Sequence, residues 1–312
     1  MPTSSADARS VIDLLKARIA RGSRRPHGDG ASIALAVEGG AMRGVISAGM
    51  VSALEALGYI DAFDAVYGSS AGAVNAAYFL AGQARLGTSI YHQDINNAQF
   101  IDTRRALLGR PIVNLGFLLD DVARSRKPLD VERLLRSPTP FHVLATDVDR
   151  QNAAVFKDFA TAELLFGALR SGATMPVVAG GPYAYVGGRY LDASLSEPIP
   201  VPTAEADGHT HILALLTRTG GVRPDVSAFD RYFVVPRLRR ISPDLAERYL
   251  SRAAPYAELV RTIDAGRGPL GLAHVLAIRV ENLRISKLER RRDVLEFGAR
   301  RGDEAVRKMF GQ

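Results

Sequence analysis

The chain of 312 residues contains no cysteine and no tryptophan. The absence of cysteine excludes disulfides, thiolate metal sites, iron–sulfur clusters and a cysteine nucleophile. No apolar run approaches the roughly 18 residues that a membrane-spanning helix needs. The first 30 residues also lack the uninterrupted apolar core of a signal peptide. We therefore expect a cytoplasmic protein, with peripheral attachment to a membrane surface as the alternative.

The positive charge of the chain does not by itself indicate a nucleic-acid-binding protein. Lysine plus arginine number 40 and aspartate plus glutamate 33, which gives a net charge of +7. The basic residues are spread along the chain, and neither zinc-finger spacing nor an aromatic RNA-binding signature is present. We expect no nucleic-acid partner and favour an anionic lipid surface over nucleic acid if the charge has a partner. The oligomeric state has no signal in the sequence.

Short apolar segments alternate with helical patterns along most of the chain. Strands are expected at residues 32–37, 63–67, 141–146, 211–217 and 276–280. Helices are expected at residues 11–20, 45–57, 71–81, 243–264 and 287–310. Strands that alternate with helices predict an α/β fold with a mostly parallel sheet.

The pattern changes near both ends of the chain. Residues 1–30 combine a helical spacing of apolar residues with a Gly- and Arg-rich stretch, so we expect a basic N-terminal helix and a linker. Residues 31–220 contain most of the alternating strands and helices and are expected to form the core. Residues 221–312 are rich in arginine and are predicted to be a helical extension packed on the same domain.

Residues 68–72, GSSAG, match the G-x-S-x-G pattern of a serine nucleophile. An apolar strand precedes the motif and a helix of small residues over 71–81 follows it, which is the context of a nucleophile elbow. Gly68 and Gly72 flank Ser70 and would prevent clashes where strand and helix meet. The alternative is a plain strand-to-helix turn in which Ser70 caps the helix. The motif alone does not decide between them.

A second glycine-rich loop, Glu38 to Gly44, also lies between a strand and a helix. It lacks the G-K-[ST] ending of a P-loop, and Ala41 replaces the middle glycine of G-x-G-x-x-G, so nucleotide binding is disfavoured. Acyl transfer needs preorganised backbone donors beside the nucleophile. The loop is therefore a candidate oxyanion hole, to which Arg43 would add positive potential. The alternative is a helix start at which the glycines only permit the turn.

A serine nucleophile needs a base, and the histidines do not supply an obvious one. The histidines are His27, His92, His142, His209, His211 and His274. None lies in a recognisable triad motif, and we expect each to be structural or solvated. Asp192, which follows a short apolar stretch, is the acidic candidate. By itself it could equally be a turn aspartate at the surface.

Taken together, these residues resemble the patatin-like phospholipase family. Gly39–Gly44 is similar to the family's G-G-[GA]-x-[RK]-G loop, and residues 68–72 are similar to its elbow. Asp192 aligns with the aspartate of the family's D-G-[GA] motif. Residues 171–176, SGATMP, are similar to the block that precedes that aspartate. The order and spacing of the motifs also agree, and the resemblance runs from about residue 32 to near the C-terminus.

The resemblance implies a three-layer α/β/α fold with a mostly parallel central sheet and a helical C-terminal decoration. It implies a serine lipid acyl hydrolase that cleaves carboxylic esters of lipids and phospholipids through an acyl-enzyme. Ser70 would be the nucleophile and Asp192 its general base. The oxyanion hole would consist of the amides of Gly39, Gly40 and Ala41, steadied by Arg43. The partner would be a lipid or another acyl ester, and neither a metal nor a cofactor is required.

One residue departs from the family pattern. Ala193 stands where the family has glycine, and a positive φ there would cost on the order of 1 kcal/mol and displace the carboxylate. Two alternatives therefore stay open. One is a Ser-His-Asp esterase on an α/β-hydrolase fold that uses His209, His211 or His274. The other is a non-catalytic lipid-binding or regulatory protein on the patatin scaffold.

Overall fold

The computed structural model describes residues 10–23, 25–219, 226–228 and 230–312. The strands are β1 Ile33–Val37, β2 Ala65–Ser69, β3 Phe141–Asp147, β4 Ala153–Phe156, β5 Tyr183–Tyr185, β6 Gly188–Leu191, β7 His211–Leu215 and β8 His274–Ile278. The α-helices are α1 Val11–Ala20, α2 Val45–Ala56, α3 Ala71–Leu80, α4 Ala84–Gln93, α5 Val131–Leu135, α6 Ala162–Ala173, α7 Val201–Ala206, α8 Val235–Ile241, α9 Pro243–Ser251, α10 Ala253–Asp264 and α11 Arg292–Phe310.

Within the described ranges these strands form one sheet in the order β5–β6–β3–β2–β1–β7–β8, with β4 also paired to β3. The pairs β1–β2, β2–β3, β1–β7 and β7–β8 are parallel. The pairs β3–β4, β3–β6 and β5–β6 are antiparallel. Because the carboxyl ends of parallel strands meet at one edge, the segments that follow β1, β2 and β7 lie together there. We call this edge the carboxyl edge and the opposite one the amino edge.

The side chains of β1 alternate between two apolar cores. Ile33, Leu35 and Val37 pack in one core with residues of α1 to α4 and α11. Ala34 and Ala36 pack in the other core with residues of α7 and α10. A pleated strand covered on both faces requires this period of two. The predicted three-layer α/β/α arrangement is therefore confirmed.

The C-terminal part of the chain is built into these layers. β8 extends the sheet beside β7, and α11 packs along α2. The two helices approach most closely at two glycines: a Cβ on Gly49 would collide with the Ala299 carbonyl group, and one on Gly302 with the Ile46 carbonyl oxygen. Only glycine allows the backbones to come this close.

The helix expected at residues 11–20 is present and packs on the domain. Leu14 and Leu15 are fully buried. Arg18 is also buried, and it donates hydrogen bonds of 2.8 Å to the carboxylates of both Asp29 and Asp64. Two carboxylates offset the cost of removing the guanidinium group from water. The basic residues of this segment therefore include one that fixes the helix in place.

One predicted helix boundary is wrong. The helix expected over residues 287–310 begins only at Arg292. The Lys287 carbonyl accepts a hydrogen bond from the Met42 amide, and Glu289 accepts hydrogen bonds from the two backbone amides that follow it. These contacts hold the segment as a turn against the glycine-rich loop, so the helix starts after it.

The expected division into residues 1–30, 31–220 and 221–312 stays a prediction. Residues 1–9 and the boundary between residues 220 and 221 lie outside the described residues. Among the helices of the described ranges, none is long and apolar enough to cross a membrane.

Candidate active site

Ser70 lies on a sharp turn between β2 and α3. Its φ of 56° and ψ of −130° place a residue with a side chain in a region that costs about 1–3 kcal/mol. A Cβ on Gly68 would collide with the backbone of Ala73, and one on Gly72 with the Val37 carbonyl oxygen. The two glycines therefore allow the close strand–helix packing that the sequence predicts for a nucleophile elbow.

The side chain of Ser70 contacts Asp192 rather than the helix that follows it. Ser70 Oγ donates a hydrogen bond of 2.7 Å to Asp192 Oδ2. Ser70 precedes α3 without capping it through its side chain, so the interpretation as a helix cap is wrong. Asp192 follows β6 directly, and its Oδ1 accepts a hydrogen bond of 2.9 Å from the Ser194 amide. Both carboxylate oxygens are thus held in place.

Asp192 is 1% exposed. Burial raises the pKa of its carboxyl group, while hydrogen bonds from Ser194 and Ser70 and the charge of Lys287 act in the opposite direction. A carboxylate with a raised pKa is a stronger base than an ordinary one. The environment therefore suits proton abstraction from Ser70.

Ala193 does not need the conformation of glycine. It begins the short 3₁₀ turn Ala193–Leu195, and its φ is not positive. Its methyl group is fully buried in the core that also contains Leu144 and Ile199. The departure from the family pattern is accommodated without displacing Asp192.

The glycine-rich loop lies beside the nucleophile with its backbone amides free. Gly40 and Ala41 have positive φ values of 139° and 52°. An added Cβ on Gly39 would come within 2.9 Å of Ser70 Cβ, so the loop is in contact with the elbow. In the described part of the chain, no group accepts a hydrogen bond from the amides of Gly39, Gly40 or Ala41. Successive free amides of this kind form an anion-binding site.

Arg43 supports the loop from behind. Its guanidinium group packs against Gly40, and its Nε donates a hydrogen bond of 3.2 Å to Thr217 Oγ1. Thr217 Oγ1 in turn donates a hydrogen bond of 2.6 Å to the Gly39 carbonyl oxygen. Arg43 therefore contacts the loop both directly and through Thr217, and its role in an oxyanion hole stays a prediction.

Buried Glu38 connects the loop to Thr217 and Tyr256, and the sequence did not indicate these two contacts. Its Oε2 accepts a hydrogen bond of 2.6 Å from the Thr217 amide, and its Oε1 accepts one of 3.0 Å from the Tyr256 hydroxyl. Thr217 could have been found, because polar residues just after parallel strands gather at the carboxyl edge. Tyr256 lies on α10 and gave no local signal.

Ser70 and Asp192 line a cavity of about 540 Å³, which we call the main cavity. Its volume is typical of sites for small ligands. The apolar part of the wall is formed by Val74, Ile90, Tyr91, Ile95, Phe100, Ile112, Val113, Leu115, Leu118 and Val178. The sequence did not predict this cavity because its lining comes from separate segments of the chain.

The histidines of the triad alternative lie at the wrong edge of the sheet. His211 and His274 begin β7 and β8, and His211 pairs with Ile33 at the start of β1. Ser70 follows the carboxyl end of β2. A strand of five residues separates the two edges by roughly 13 Å. In the described ranges no histidine is hydrogen-bonded to Ser70 or Asp192, and the arrangement does not support a Ser-His-Asp triad.

The chain is similar to several proteins along most of its length. The uncharacterized protein YjjU of Escherichia coli (strain K12) is 28% identical over 209 residues, which cover 66% of this chain and 57% of that protein. VipD from Legionella pneumophila has 12% identity and a TM-score of 0.47, covering 90% of this chain and 66% of that one. Human GIVD cytosolic phospholipase A2, in complex with methyl gamma-linolenyl fluorophosphonate, has 13% identity and a TM-score of 0.49. The match covers 98% of this chain and 61% of that one.

The match to a family is more specific than these pairwise likenesses. A model of the patatin-like phospholipase family matches residues 35–205, which is more than half of the chain. This range includes the glycine-rich loop, the elbow and Asp192. The chain belongs to the patatin-like phospholipase family.

Proposed function

We propose that this protein is a serine lipid acyl hydrolase that cleaves carboxylic esters of lipids, phospholipids included, through a Ser–Asp dyad. One observation carries the proposal. Ser70 Oγ, on its strained turn, donates a hydrogen bond of 2.7 Å to the buried carboxylate of Asp192. Both residues line an apolar cavity, and free backbone amides lie beside the serine.

In the proposed reaction, Asp192 takes the proton from Ser70 Oγ as this oxygen attacks the ester carbonyl carbon. The oxyanion of the tetrahedral intermediate accepts hydrogen bonds from the amides of the glycine-rich loop. The intermediate collapses, the alcohol leaves with the proton from Asp192, and an acyl-enzyme remains. Asp192 then deprotonates a water molecule that attacks the acyl-enzyme. The fatty acid is released and Ser70 regains its proton.

The apolar part of the main cavity suits the acyl chain of such a substrate. Burying methylene groups against these side chains favours binding by about 0.8 kcal/mol per group. The position of the cavity beside Ser70 would place the ester carbonyl near the free amides. This supports a lipid ester over a short polar ester as the substrate.

The test is labelling by a fluorophosphonate probe together with turnover of p-nitrophenyl esters. Ser70→Ala and Asp192→Asn should each lower turnover by a factor on the order of 10³ or more, because the two groups act as a unit. Ser70→Ala should also abolish labelling. The matched controls are Ser32→Ala and Asp207→Asn, which change the same residue types at the amino edge and should leave turnover unchanged.

Each other result contradicts a stated part of the proposal. Full activity of Asp192→Asn would contradict the role of Asp192 as the general base. Loss of turnover on replacing a single histidine among His209, His211 and His274 would favour a Ser-His-Asp esterase. Folded wild-type protein that binds lipid vesicles but neither labels nor turns over would indicate a lipid-binding protein instead.

We also propose that the protein docks on an anionic membrane surface beside the main cavity. Leu108 and Tyr232 are 73% and 74% exposed, and Phe233 is 49% exposed. These three residues, with Arg110 and Arg231, are called the docking face. They belong to the segments 103–111 and 230–241. The first contributes Thr103 and Ala106 to the wall of the main cavity, and the second contributes Asp230.

Charge complementarity supports an anionic partner for the docking face. Within the described residues, Arg110 and Arg231 form no ion pair with an acidic side chain. Exposed aromatic and aliphatic side chains enter the boundary between lipid head groups and acyl chains, and each nearby arginine adds about 1 kcal/mol with anionic lipids. A face of this composition fits an anionic lipid surface.

Sedimentation with vesicles tests the docking face. Wild-type protein should bind phosphatidylglycerol-containing vesicles more strongly than pure phosphatidylcholine vesicles. The double variant Tyr232→Ser/Phe233→Ser should reduce binding by about tenfold while turnover of a soluble p-nitrophenyl ester stays unchanged. The control is Leu270→Ser/Leu272→Ser, an exposed apolar pair near the amino end of β8. Equal binding by both double variants would exclude the docking face.

A further inference from the structure

The main cavity has a polar part in addition to its apolar wall. This part is lined by Arg218, Ser227, Asp230, Arg252, Ser286 and Lys287. All six residues follow residue 217, outside residues 35–205 that match the family model. Family membership therefore assigns them no role.

Lys287 is the residue of this group with the most unusual surroundings. It lies between β8 and α11, and its carbonyl oxygen accepts a hydrogen bond of 3.2 Å from the Met42 amide, beside the glycine-rich loop. Its ammonium group has no hydrogen-bond acceptor or carboxylate partner in the described part of the chain. Burial and the charges of Arg43 and Arg218 lower the pKa of Lys287 to about 8.

Arg218 is a second cation with unused hydrogen-bonding capacity. Its side chain is 16% exposed, and its Nε is buried without an acceptor among the described residues. Its Nε lies 3.8 Å from Glu38 Oε1, beyond hydrogen-bonding distance. Both oxygens of Glu38 already accept hydrogen bonds, from Thr217 and Tyr256. Arg218 therefore has donors available for a ligand.

Glu38 forms a long ion pair of 3.8 Å with Arg218, and no carboxylate of the described residues pairs with Lys287. Asp230 faces Arg252 at 3.4 Å and accepts a hydrogen bond from the Tyr249 hydroxyl. Asp192 is committed to Ser70 and Ser194. A mostly buried ammonium group without a partner and an unsatisfied guanidinium donor are both costly, so an anion from outside the chain would stabilise Lys287 and Arg218. Lys287 and Arg218 also line a side cavity of about 40 Å³ that Ser70 borders. An anion bound by both cations would therefore lie beside Ser70.

We propose that Lys287 and Arg218 form a subsite for the phosphate group of the substrate's alcohol portion, so that phosphate-bearing glycerolipids are cleaved in preference to neutral glycerides. The proposal rests on the proposed ester hydrolysis. With the acyl chain in the apolar part of the cavity, the alcohol portion extends to the polar part. A glycerophosphate there carries its charge only a few bonds from the ester. A diacylglycerol would leave the ammonium group of Lys287 without a partner and the Nε donor of Arg218 without an acceptor.

Hydrolysis of soluble short-chain lipids tests the subsite without a lipid surface. The measurement is kcat/KM for dihexanoylphosphatidic acid and for dihexanoylglycerol, both below the concentration at which they aggregate. Wild-type protein should prefer the phosphate ester by at least about tenfold. Lys287→Met should abolish this preference, Lys287→Arg should retain it, and the control Lys308→Met, an exposed lysine of α11, should not change it.

Lys287 could instead act through Asp192, since its charge favours the ionised carboxylate. In that case Lys287→Met would lower kcat/KM for both esters equally and move the acid limb of the pH profile to higher pH. Such a result would overturn the subsite, as would an unchanged preference in Lys287→Met.

A binding experiment separates this proposal from the proposed hydrolysis. Calorimetry on Ser70→Ala protein measures the affinity for sn-glycerol 3-phosphate without turnover. Adding Lys287→Met should weaken this affinity by at least about tenfold. If glycerol 3-phosphate binding depends on Lys287 but the wild-type protein cleaves neither ester, the subsite is supported and the proposed hydrolysis is contradicted. If the wild-type protein cleaves the esters but binding does not depend on Lys287, the hydrolysis is supported and the subsite is contradicted.

Discussion

Two buried polar clusters occupy opposite edges of the same sheet. At the carboxyl edge, Ser70 and Asp192 are hydrogen-bonded at 2.7 Å. At the amino edge, the Tyr67 hydroxyl donates a hydrogen bond of 2.7 Å to Asp207 and lies 3.1 Å from His209 Nε2. Each cluster therefore contains a hydroxyl group and a carboxylate in close contact, and composition alone does not distinguish them.

The difference lies in what each cluster leaves unsatisfied. His209 Nδ1 lies 2.7 Å from Ser32 Oγ, so the amino-edge groups bond to one another. At the carboxyl edge, Ser70 has strained backbone angles, and free amides and an unpartnered lysine lie near it. Unsatisfied donors and backbone strain are costs that cluster at active sites and ligand-binding sites. This difference supports the proposal that the amino edge contributes stability and the carboxyl edge contributes function.

A substitution in the glycine-rich loop should give the largest difference in kcat between a variant at the carboxyl edge and one at the amino edge. In Gly39→Ala, the new Cβ would collide with the Ser69 carbonyl oxygen and the Ala71 amide nitrogen, so the loop must move away from Ser70. Loss of aligned oxyanion donors should lower kcat by about 10²–10³. The measurement is kcat for a p-nitrophenyl ester, with thermal melting to establish that the variant is folded.

Gly208→Ala is the matched control at the amino edge. Gly208 has a positive φ of 90°, and a Cβ there would meet open space. This change should cost roughly 1 kcal/mol of stability and leave kcat unchanged. If Gly39→Ala does not fold, Gly40→Ala replaces it, because the three atoms nearest to its Cβ belong to the flexible Arg43 side chain and the φ of 139° strains the loop itself. Full activity of the folded loop variant would contradict the assignment of the oxyanion hole.

The sequence predicted the parts of the carboxyl edge that are local in the chain. The elbow and the glycine-rich loop each consist of a strand, a short glycine-containing turn and a helix, so their geometry follows from neighbouring residues. Asp192 is 122 residues from Ser70, and only the resemblance to a family connected the two. Its contact with Ser70 depends on the antiparallel pairing of β6 with β3, which no local pattern indicated.

Lys287 could not be predicted in the same way. It reaches the cavity because α11 packs on α2 through Gly49 and Gly302 and because β8 joins the sheet. These are tertiary contacts between segments distant in the chain. Lys287 also lies where the periodicity predicted a helix, so no local pattern indicated that it would face a cavity.

The two edges should also respond differently to pH. Burial raises the pKa of Asp192 at the carboxyl edge, and a general base must be ionised. Turnover should therefore fall about tenfold per pH unit below that pKa, and this acid limb should lie at higher pH than that of an ordinary carboxyl group. At the amino edge, burial lowers the pKa of His142 and of His209, and protonation of these residues should affect stability and not turnover.

Burial lowers the pKa of His142 to about 4, and His142 stacks on Tyr67 with a ring separation of 4.2 Å. As the pH falls from about 6.5 to 4, the unfolded chain binds a proton that folded His142 does not, so up to roughly 3 kcal/mol of stability is lost. His142→Phe keeps a ring against Tyr67 and removes this proton. Urea unfolding at several pH values should then show a shallower loss of stability on acidification, with the acid limb of turnover unchanged. A shift of that limb in His142→Phe would show that the two edges are coupled and would end the division of roles between them.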